Sequence, residues 1–401
     1  MSLNDFKPQF DNAYEEVFQK VLVGKKIANL RFEPVLKYGE SVERVAYDIS
    51  GVRVRSVTRG NASTIDSITD TSELLVINLE KEAVFHISDG EVKQAGPLNP
   101  GEVIGGQIAI KVAADLDARI LYETKNAYQT FDTGDLTTLA STGVPITLSS
   151  TTVPQMVTRM PAKLRKGTHQ TLSNMCMVVD SYALSDMEQF LLTKEFNIVE
   201  SVWKNGYAGS ISQAEVYVSE NLTGEVTLGL ATNPTNGDTL TINGVTITFV
   251  SSIGTTAGNV LIGANADATR ASLAGLINNP GTTSATQVAL STANQNLFTD
   301  EYRFIATNDD TANTLNIVGI GSGRITVAKS LTASGDGWTT PYVHAYYGKK
   351  GGIDVVVQDM KEVDMRPTAD RRGTNVFTSY LAGIKTFADG AKKFLDLKIA
   401  A

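Results

Sequence analysis

Alternating apolar and polar positions dominate residues 41–95 and predict β-strands there. The residues on one side of the three alternating runs are Val52 and Val54; Leu75, Ile77 and Leu79; and Val84, His86 and Ser88. Residues 58–72 are rich in Ser, Thr, Asp and Gly, which indicates a loop tip. The simplest structure is a long two-stranded ribbon. Because such a ribbon is only marginally stable alone in water, we expect it to lie on another surface, and a neighbouring subunit is the natural candidate.

A helical period replaces this alternation over residues 99–124. Asn99 can cap the helix, and Pro100 suits its first position. The apolar stripe consists of Ile108, Val112, Leu116 and Ile120. Asp115 and Asp117 lie off this stripe, so we expect both on a water-facing side and do not interpret them as a catalytic carboxylate pair.

Shorter patterns predict further elements. Residues 11–23 have helical spacing, and Gly24 follows as a stop signal. An apolar strand leads up to Asp180, and the S-x-x-E sequence from Ser185 to Glu188 is a capping box that predicts the start of a helix. Further strands are predicted over residues 214–218, 355–357, 377–387 and 394–399.

The density of charged residues drops in one long segment. Residues 221–340 contain 12 charged residues in 120 positions, whereas the rest of the chain contains 78 − 12 = 66 in 281. The segment therefore indicates a separate inserted domain, either α+β or mainly β. Residues 238–250 form a predicted hairpin around Asn243-Gly244, and Asn265 caps a predicted helix that ends at Ile277. Strands are predicted over residues 302–306, 314–318 and 324–327.

Composition narrows the class of protein. A hydrophobic content of 42% and a charged content of 19% are typical of a folded, soluble protein. The formal net charge of −8 disfavours a specific nucleic-acid reader. The first 20 residues lack the apolar core of a signal peptide, and no apolar run is long enough to cross a membrane, so we expect synthesis in a cytoplasm. The single cysteine, Cys176, lies in an apolar run and is interpreted as a buried, inert thiol.

The sequence offers no recognisable catalytic chemistry. The three histidines, His86, His169 and His344, are far apart, and none has metal-ligand spacing. A GxGxG run over residues 319–323 lacks the spacing of a phosphate cradle and is interpreted as a turn. We therefore predict no catalytic, cofactor-binding or metal-binding residue, no cofactor, and a protein that is not an enzyme.

The order of these parts resembles the Hong Kong 97-like fold of the major capsid proteins of tailed bacteriophages. The resemblance covers the regions outside the insert and rests on several segments in sequence order. These are EAVFHISDGEVKQAG (82–96), GGQIAIKVAADLDARILYE (105–123), MVVDSYALSDMEQFLLTKEF (177–196), NGYAGSISQAEVYVSENL (205–222) and GGIDVVVQDMKEVDM (351–365). The insert itself, with GDTLTINGVTITFVSS and IGANADATRASLAGLIN, is similar to small modules of phage structural proteins.

This resemblance implies an α+β fold with named domains. They are an N-terminal arm (1–38), an extended loop (39–98), a spine helix with the peripheral domain (99–200), an axial domain with closing strands (201–224 and 341–401), and the insertion domain (225–340). Family members often begin with a long scaffolding segment. This chain begins at the arm, so we expect a separate scaffolding protein.

The implied function is assembly. Subunits would form hexamers and pentamers of an icosahedral shell around double-stranded DNA, in a virion assembled in the host bacterial cytoplasm. A portal protein, non-specific contact with packaged DNA and a decoration protein are implied as further partners, and no membrane is involved. Two alternatives remain open from the sequence. One is an encapsulin-like nanocompartment shell, which shares the fold, and the other is a phage tail structural protein, which the insert alone suggests.

Overall fold

A computed structural model gives the fold of the chain. The structure describes residues 22–32, 40–48, 52–56, 65–88, 100–136, 143–168, 171–193, 207–211, 214–332, 336–367 and 372–401. The predicted helix over residues 11–23 lies almost entirely outside these ranges, as do Asn99 and His169.

Helices and strands are interspersed along the described part of the chain. The α-helices are α1 (Gly24–Ile27), α2 (Pro100–Tyr122), α3 (Thr152–Thr168), α4 (Ser181–Thr193), α5 (Ala266–Asn278), α6 (Thr292–Asn296) and α7 (Ala388–Ala391). Short 3₁₀ turns cover Glu123–Asn126 and Thr133–Asp135, and a π-turn covers Leu297–Glu301. The mixed α and β class that the sequence predicts is confirmed.

Nineteen strands are present in the described ranges. They are β1 (Ser41–Asp48), β2 (Thr69–Val76), β3 (Leu79–Ile87), β4 (Gln129–Phe131), β5 (Met175–Val179), β6 (Tyr207–Ile211), β7 (Ala214–Val218), β8 (Thr223–Gly229), β9 (Thr239–Ile242), β10 (Val245–Val250), β11 (Asn259–Leu261), β12 (Phe304–Asp309), β13 (Thr314–Gly319), β14 (Val327–Ser330), β15 (Gly337–Trp338), β16 (Tyr342–Lys349), β17 (Asp354–Pro367), β18 (Thr374–Lys385) and β19 (Phe394–Ala400).

Strand β16 is the centre of the main sheet. One of its edges pairs with β19 over Tyr342–Gly348, and its other edge is shared between β8 and β5. From β8 the sheet continues through β13 to β12, and from β5 it continues through β7 to β6. Almost all of β16 is buried, which is why its sequence is apolar and aromatic on both faces.

Two large hydrophobic clusters divide the structure. The first cluster joins α1, α2, α3, β5, α4, β7 and the strands after residue 342. The buried residues of the second cluster all lie between Val226 and Ile325, in strands β8 to β13, helix α5 and the segments between them, and Val327, Leu331 and Trp338 pack against it. Its hairpin turns at Asn243 (φ 45°) and Gly244 (φ 81°), the two positive φ angles that a type I′ turn requires. Asn265 caps α5 by accepting a hydrogen bond from the Ala268 amide, as its sequence predicts.

A three-stranded sheet, β17-β18-β3, and the two-stranded pair β1-β2 are separate from the main sheet, and Leu75 of β2 packs against Val356 of β17. The predicted run through Leu75, Ile77 and Leu79 is therefore not one strand. It breaks at Ile77 and Asn78, where β2 ends and β3 leaves to pair with β18. The Ile77 amide donates to the Glu40 carbonyl at 2.8 Å, which holds the chain at this corner.

One predicted helix boundary is wrong. Helix α4 begins at Ser181 rather than at the Ser185 capping box, because the Asp180 carboxylate accepts a hydrogen bond from the Ala183 amide at 3.2 Å and caps the earlier turn. Gly24 is the first residue of α1, and the end of the helix predicted before it lies outside the described residues. A Cβ at Gly24 would lie 2.9 Å from Ile120, so glycine is needed there for α1 to approach α2 closely.

Candidate assembly surface

The ribbon of β1 and β2 has two unlike faces. The strands are antiparallel, with Ser41 opposite Val76 and Asp48 opposite Thr69. On one face, the Leu75 side chain points into the protein and is fully buried. The opposite face, which we call the outward ribbon face and define as Val45, Leu74 and Val76, is 48%, 46% and 41% exposed at these three side chains. Each cross-strand pair on this face joins one of these apolar residues to a polar one, Ser41, Glu43 or Ser72, and the subunit leaves the three apolar side chains uncovered.

The inward side of the ribbon is anchored on the three-stranded sheet. Leu75 and Ile77 form a small buried cluster with Val356 and Phe387. The Arg44 guanidinium lies over the Phe387 ring, 5.2 Å from its centroid. Apolar burial and a cation–π contact therefore fix the root of the ribbon to the body of the subunit.

Ion pairs and backbone contacts hold the same root. Arg44 forms a salt bridge with Asp389 and lies 3.8 Å from a carboxylate oxygen of Asp354. The Glu73 carboxylate accepts a hydrogen bond from the Ala388 amide at 3.0 Å, and the Lys385 ammonium donates to the Leu74 carbonyl at 3.1 Å. The outward ribbon face is consequently presented in one orientation.

Residues 52–56 and 65–68 lie beyond the paired strands. These two stretches are not paired as strands but are joined by side chains. The Asp66 carboxylate accepts two hydrogen bonds from the Arg55 guanidinium, at 2.7 and 2.9 Å, and one from the Arg53 amide at 2.9 Å. The hydrogen bonds from Arg55 lower the pKa of Asp66 below its ordinary value. Val54 and Ile65 beside this bridge are almost fully exposed.

Exposed apolar side chains are concentrated on this one part of the molecule. Of the 13 large hydrophobic side chains that are exposed in the described residues, eight lie between Val45 and Val84. A concentration of exposed apolar groups marks an interaction surface, whereas scattered ones do not.

The carboxylate of Asp117 on helix α2 is buried, so its predicted water-facing position is wrong. It accepts hydrogen bonds from the backbone amide of Gly24 at 2.5 Å, the Ser219 hydroxyl at 2.8 Å and the side-chain amide of Asn221 at 3.3 Å. Burial raises the pKa of Asp117 despite these donors. The residue ties α1 and the segment after β7 to the long helix.

Asp115 is also an anchor rather than a solvated group. It pairs with Arg303 at 2.8 Å and with Arg119 at 3.2 Å, and it accepts a hydrogen bond from the Tyr380 hydroxyl. Burial alone would raise its pKa, but Tyr380 and the two arginines outweigh burial and lower it. The two carboxylates of α2 thus contact different partners, and we assign no shared chemistry to them.

The two histidines in the described part of the chain, His86 and His344, are not brought together. Nδ1 of His86 lies 2.9 Å from the Asn375 side-chain oxygen, whereas His344 is buried between Asp396 and Glu225. Across the described ranges, no group of three or more His, Cys, Asp or Glu side chains is arranged to hold a metal ion. Cys176 is buried, and burial raises its pKa to about 12, so the thiolate form is disfavoured.

Sequence analysis did not identify the outward ribbon face. One signal could have found it. Leu74, Leu75, Val76 and Ile77 are four consecutive apolar residues in a strand whose register alternates, so both faces must be apolar. Within the described part of the chain, no helix combines the length and the apolar character needed to cross a bilayer.

Comparisons with known proteins gave matches among solved structures. No protein-family model matches the sequence, and no curated protein matches it. A structure from Mycobacterium phage Che8 is similar over 94% of this chain and 90% of its own, with 12% identity and a TM-score of 0.44. The capsid of cyanophage P-SCSP1u is similar over 90% and 84%, with 9% identity and a TM-score of 0.44. The mature capsid of bacteriophage PhiM1 is similar over 90% and 82%, with 11% identity and a TM-score of 0.42.

Proposed function

We propose that this chain is the major capsid protein of a tailed bacteriophage, a non-enzymatic subunit that assembles into hexamers and pentamers of an icosahedral shell. The outward ribbon face carries the proposal. It presents three partly exposed apolar side chains on a ribbon whose root is packed on the body of the subunit. A second copy of the chain that covers this face would bury area that the monomer cannot.

The domain boundaries given above are part of the proposal. In that scheme, β1 and β2 belong to the extended loop, α2 is the spine helix, and β16 with β19 belongs to the axial domain. The confinement of the second hydrophobic cluster to residues between Val226 and Ile325 supports an insertion domain within 225–340. The first cluster resumes with Val343.

The partners follow from the proposed shell. We propose a separate scaffolding protein, a portal protein and, in some particles, a decoration protein. Packaged double-stranded DNA would be contacted through its phosphates without sequence readout. The virion capsid is the proposed location of the chain.

The test is whether the full chain forms closed shells through the ribbon. The chain is expressed with and without a scaffolding partner, and the products are examined by negative-stain electron microscopy and sedimentation velocity. We expect uniform closed particles from the unaltered chain. The double variant Leu74→Thr with Val76→Thr places a residue of high strand propensity at both positions but makes the outward ribbon face polar, so we expect soluble subunits or capsomers instead.

Ile305→Thr is the matched control. Ile305 is exposed to a similar degree, 42%, but lies on β12, away from the ribbon. We expect this variant to assemble normally. Tubes or open rings from the unaltered chain would favour the tail-protein alternative, and normal shells from the double variant would remove the ribbon as the assembly surface.

A further inference from the structure

A buried histidine stands where the first strand of the second cluster meets the centre of the main sheet. His344 is on β16 and only 2% exposed. Its Nδ1 lies 2.9 Å from both carboxylate oxygens of Asp396 on β19. Its Nε2 lies 3.0 Å from Oε2 of Glu225 on β8. One imidazole ring therefore connects three strands through two carboxylates.

This geometry requires the imidazolium. A neutral imidazole has one N–H group and one lone pair, so it can donate to only one carboxylate. The other ring nitrogen would then point a lone pair at a negative oxygen at hydrogen-bond distance, which is repulsive. While both carboxyl groups are ionised, both contacts are favourable only when both ring nitrogens carry protons.

The surrounding groups determine which carboxylate can be released. Glu225 has other donors, because Lys125 lies 3.1 Å from Oε2 and the Tyr342 hydroxyl lies 2.8 Å from Oε1. The charges of Lys125 and the imidazolium balance those of Glu225 and Asp396. Asp396 is buried and has no such alternatives among the bonds described for it, so the remaining N–H of a neutral His344 stays on Asp396.

The remaining charged group near the ring lies on β19. The Lys398 ammonium lies over the Tyr342 ring, 5.0 Å from its centroid. Strand β5, on the other half of the same edge of β16, contributes only Met175–Val179, which is apolar. A cleft of about 530 Å³ is lined by Glu225, Tyr342 and Lys398. Water therefore reaches the edge of the group formed by His344, Glu225 and Asp396 and can exchange its protons.

Little else joins β8 to β16. Their pairing comprises three residue pairs: Tyr342 opposite Glu225, Val343 opposite Gly224, and His344 opposite Thr223. Two of these pairs contain Glu225 or His344, which are in contact with each other. Strand β8 then runs directly into the second cluster through Val226 and Leu228.

We propose that His344 is a pH-sensitive latch between the second cluster and the main sheet. As the imidazolium it holds β8 against β16 and β19. When it loses a proton it releases Glu225 and loosens the three-residue pairing. The latch is a property of the single chain, so its failure would leave the capsid proposal standing.

The electrostatics of the site agree with this geometry. Burial opposes the charged form of His344, but the charge and hydrogen bonds of Asp396, and then those of Glu225, raise its pKa above the ordinary 6.5. Because the pKa is higher in the folded protein, the stabilisation is complete below pH 6.5 and is lost as pH rises through the folded value. Burial alone would raise the pKa of Glu225, but His344 and Lys125 hold it well below its usual range.

Hydrogen exchange of the full chain tests the latch directly. Protection factors, corrected for the intrinsic pH dependence of exchange, are measured for amides of β8 and β16 at pH 6, 7.5 and 9. We expect protection at 223–225 and 342–344 to fall by about tenfold or more across this range. Amides of β10 inside the second cluster should keep their protection, because the latch lies outside that core.

Three variants separate the latch from general effects of pH. Glu225→Gln keeps the shape and gives a neutral His344 an amide partner, so the pH dependence of protection should largely disappear. His344→Gln should abolish it. His86→Gln is the matched control, because His86 contacts the neutral side chain of Asn375, and it should leave the pH dependence unchanged. Protection in the unaltered chain that does not vary with pH, or a Glu225→Gln variant that retains the full dependence, would overturn the proposal.

Discussion

The ribbon of β1 and β2 and the hairpin of β9 and β10 have the same local design but different outward faces. Each is an antiparallel pair with one side buried in a hydrophobic cluster. The other side of the hairpin carries threonines, among them Thr241 and Thr246, whose hydroxyls lie 3.2 Å apart. The other side of the ribbon carries two valines and a leucine, each opposite a polar residue of the neighbouring strand. Threonine has nearly the shape of valine, so the difference is one of polarity and not of strand-forming propensity.

This contrast distinguishes two kinds of antiparallel strand pair outside the main sheet. The buried side of the hairpin belongs to the same hydrophobic cluster as Leu273, Leu276 and Ile277 of α5, and its other side is polar. The inward side of the ribbon packs on Phe387 and the start of α7, but its outward ribbon face keeps three exposed apolar side chains, which suit a protein partner. A segment that completes its own core can fold alone, whereas one that keeps an apolar face depends on a neighbour.

The largest effect is expected from removing a ring from the second cluster. Phe249 is fully buried in it. Phe249→Ala should lower the free energy of unfolding of this region by about 3–5 kcal/mol, because it removes apolar contacts and leaves a cavity. Urea unfolding followed by hydrogen exchange should show the loss within residues 226–325. Thr246→Ala, on the exposed side of the same strand, is the control. Equal loss of protection in both clusters would contradict their independence.

Two adjacent leucines sharpen the comparison within the ribbon. Leu75→Ala should cost about 2–5 kcal/mol, because Leu75 fills the buried cluster at the ribbon root. Leu74→Ala should change the stability of the isolated subunit by about 0.5 kcal/mol or less, because its side chain is in water. Thermal unfolding of unassembled subunits measures both. A large cost for Leu74→Ala would mean that the outward ribbon face is covered within the subunit.

A smaller effect is expected at the turn of the hairpin. Gly244 has a φ of 81°, and no atom would lie within 4 Å of an added Cβ. Gly244→Ala should therefore cost about 1–2 kcal/mol through backbone strain alone. Gly254 has equally open surroundings without a positive φ, so Gly254→Ala serves as the control and should be near neutral. Equal stability of the two variants would contradict the type I′ turn.

The smallest effect is expected at the outer end of the ribbon. Arg55→Gln removes the charge that lowers the pKa of Asp66, so that pKa should rise toward its ordinary value. Because ion pairs near the protein surface contribute little to stability, we expect no measurable change in the unfolding temperature. Carbon-detected NMR titration of the aspartate carboxyl groups follows the shift. An unchanged titration curve would show that the two stretches do not meet in solution.

Elements with a complete local signal could be predicted from the sequence. Pro100 begins α2, Asn265 caps α5, and Asn243-Gly244 turns the hairpin, because each of these residues limits the backbone conformation at its own position. The Ser185 box has a similarly strong signal, but α4 begins earlier. Asp180 caps it there and is itself held by Arg324, 144 residues further along the chain.

The positions of Asp117 and of the outward ribbon face could not be predicted in the same way. The hydrogen-bond partners of Asp117 lie 93 to 104 residues away in the chain, so no local pattern distinguishes it from a solvated carboxylate on the same helix. Which side of the ribbon meets the body depends on Phe387 and Val356, which are also remote. Contacts between residues so far apart in the sequence depend on the tertiary fold, and the hydrophobic period of the sequence does not predict them.

The central place of β16 has a consequence for the order of folding. Its three neighbours are β5 and β8, which precede it in the chain, and β19, which follows it. Residues 226–325, with their own hydrophobic cluster, are synthesised before β16. On the ribosome this segment can close while the exposed edges of β5 and β8 still wait for their common partner. During translation the main sheet therefore stays incomplete until β16 has been synthesised. Chaperones that shield exposed strand edges would act on β5 and β8 in that interval.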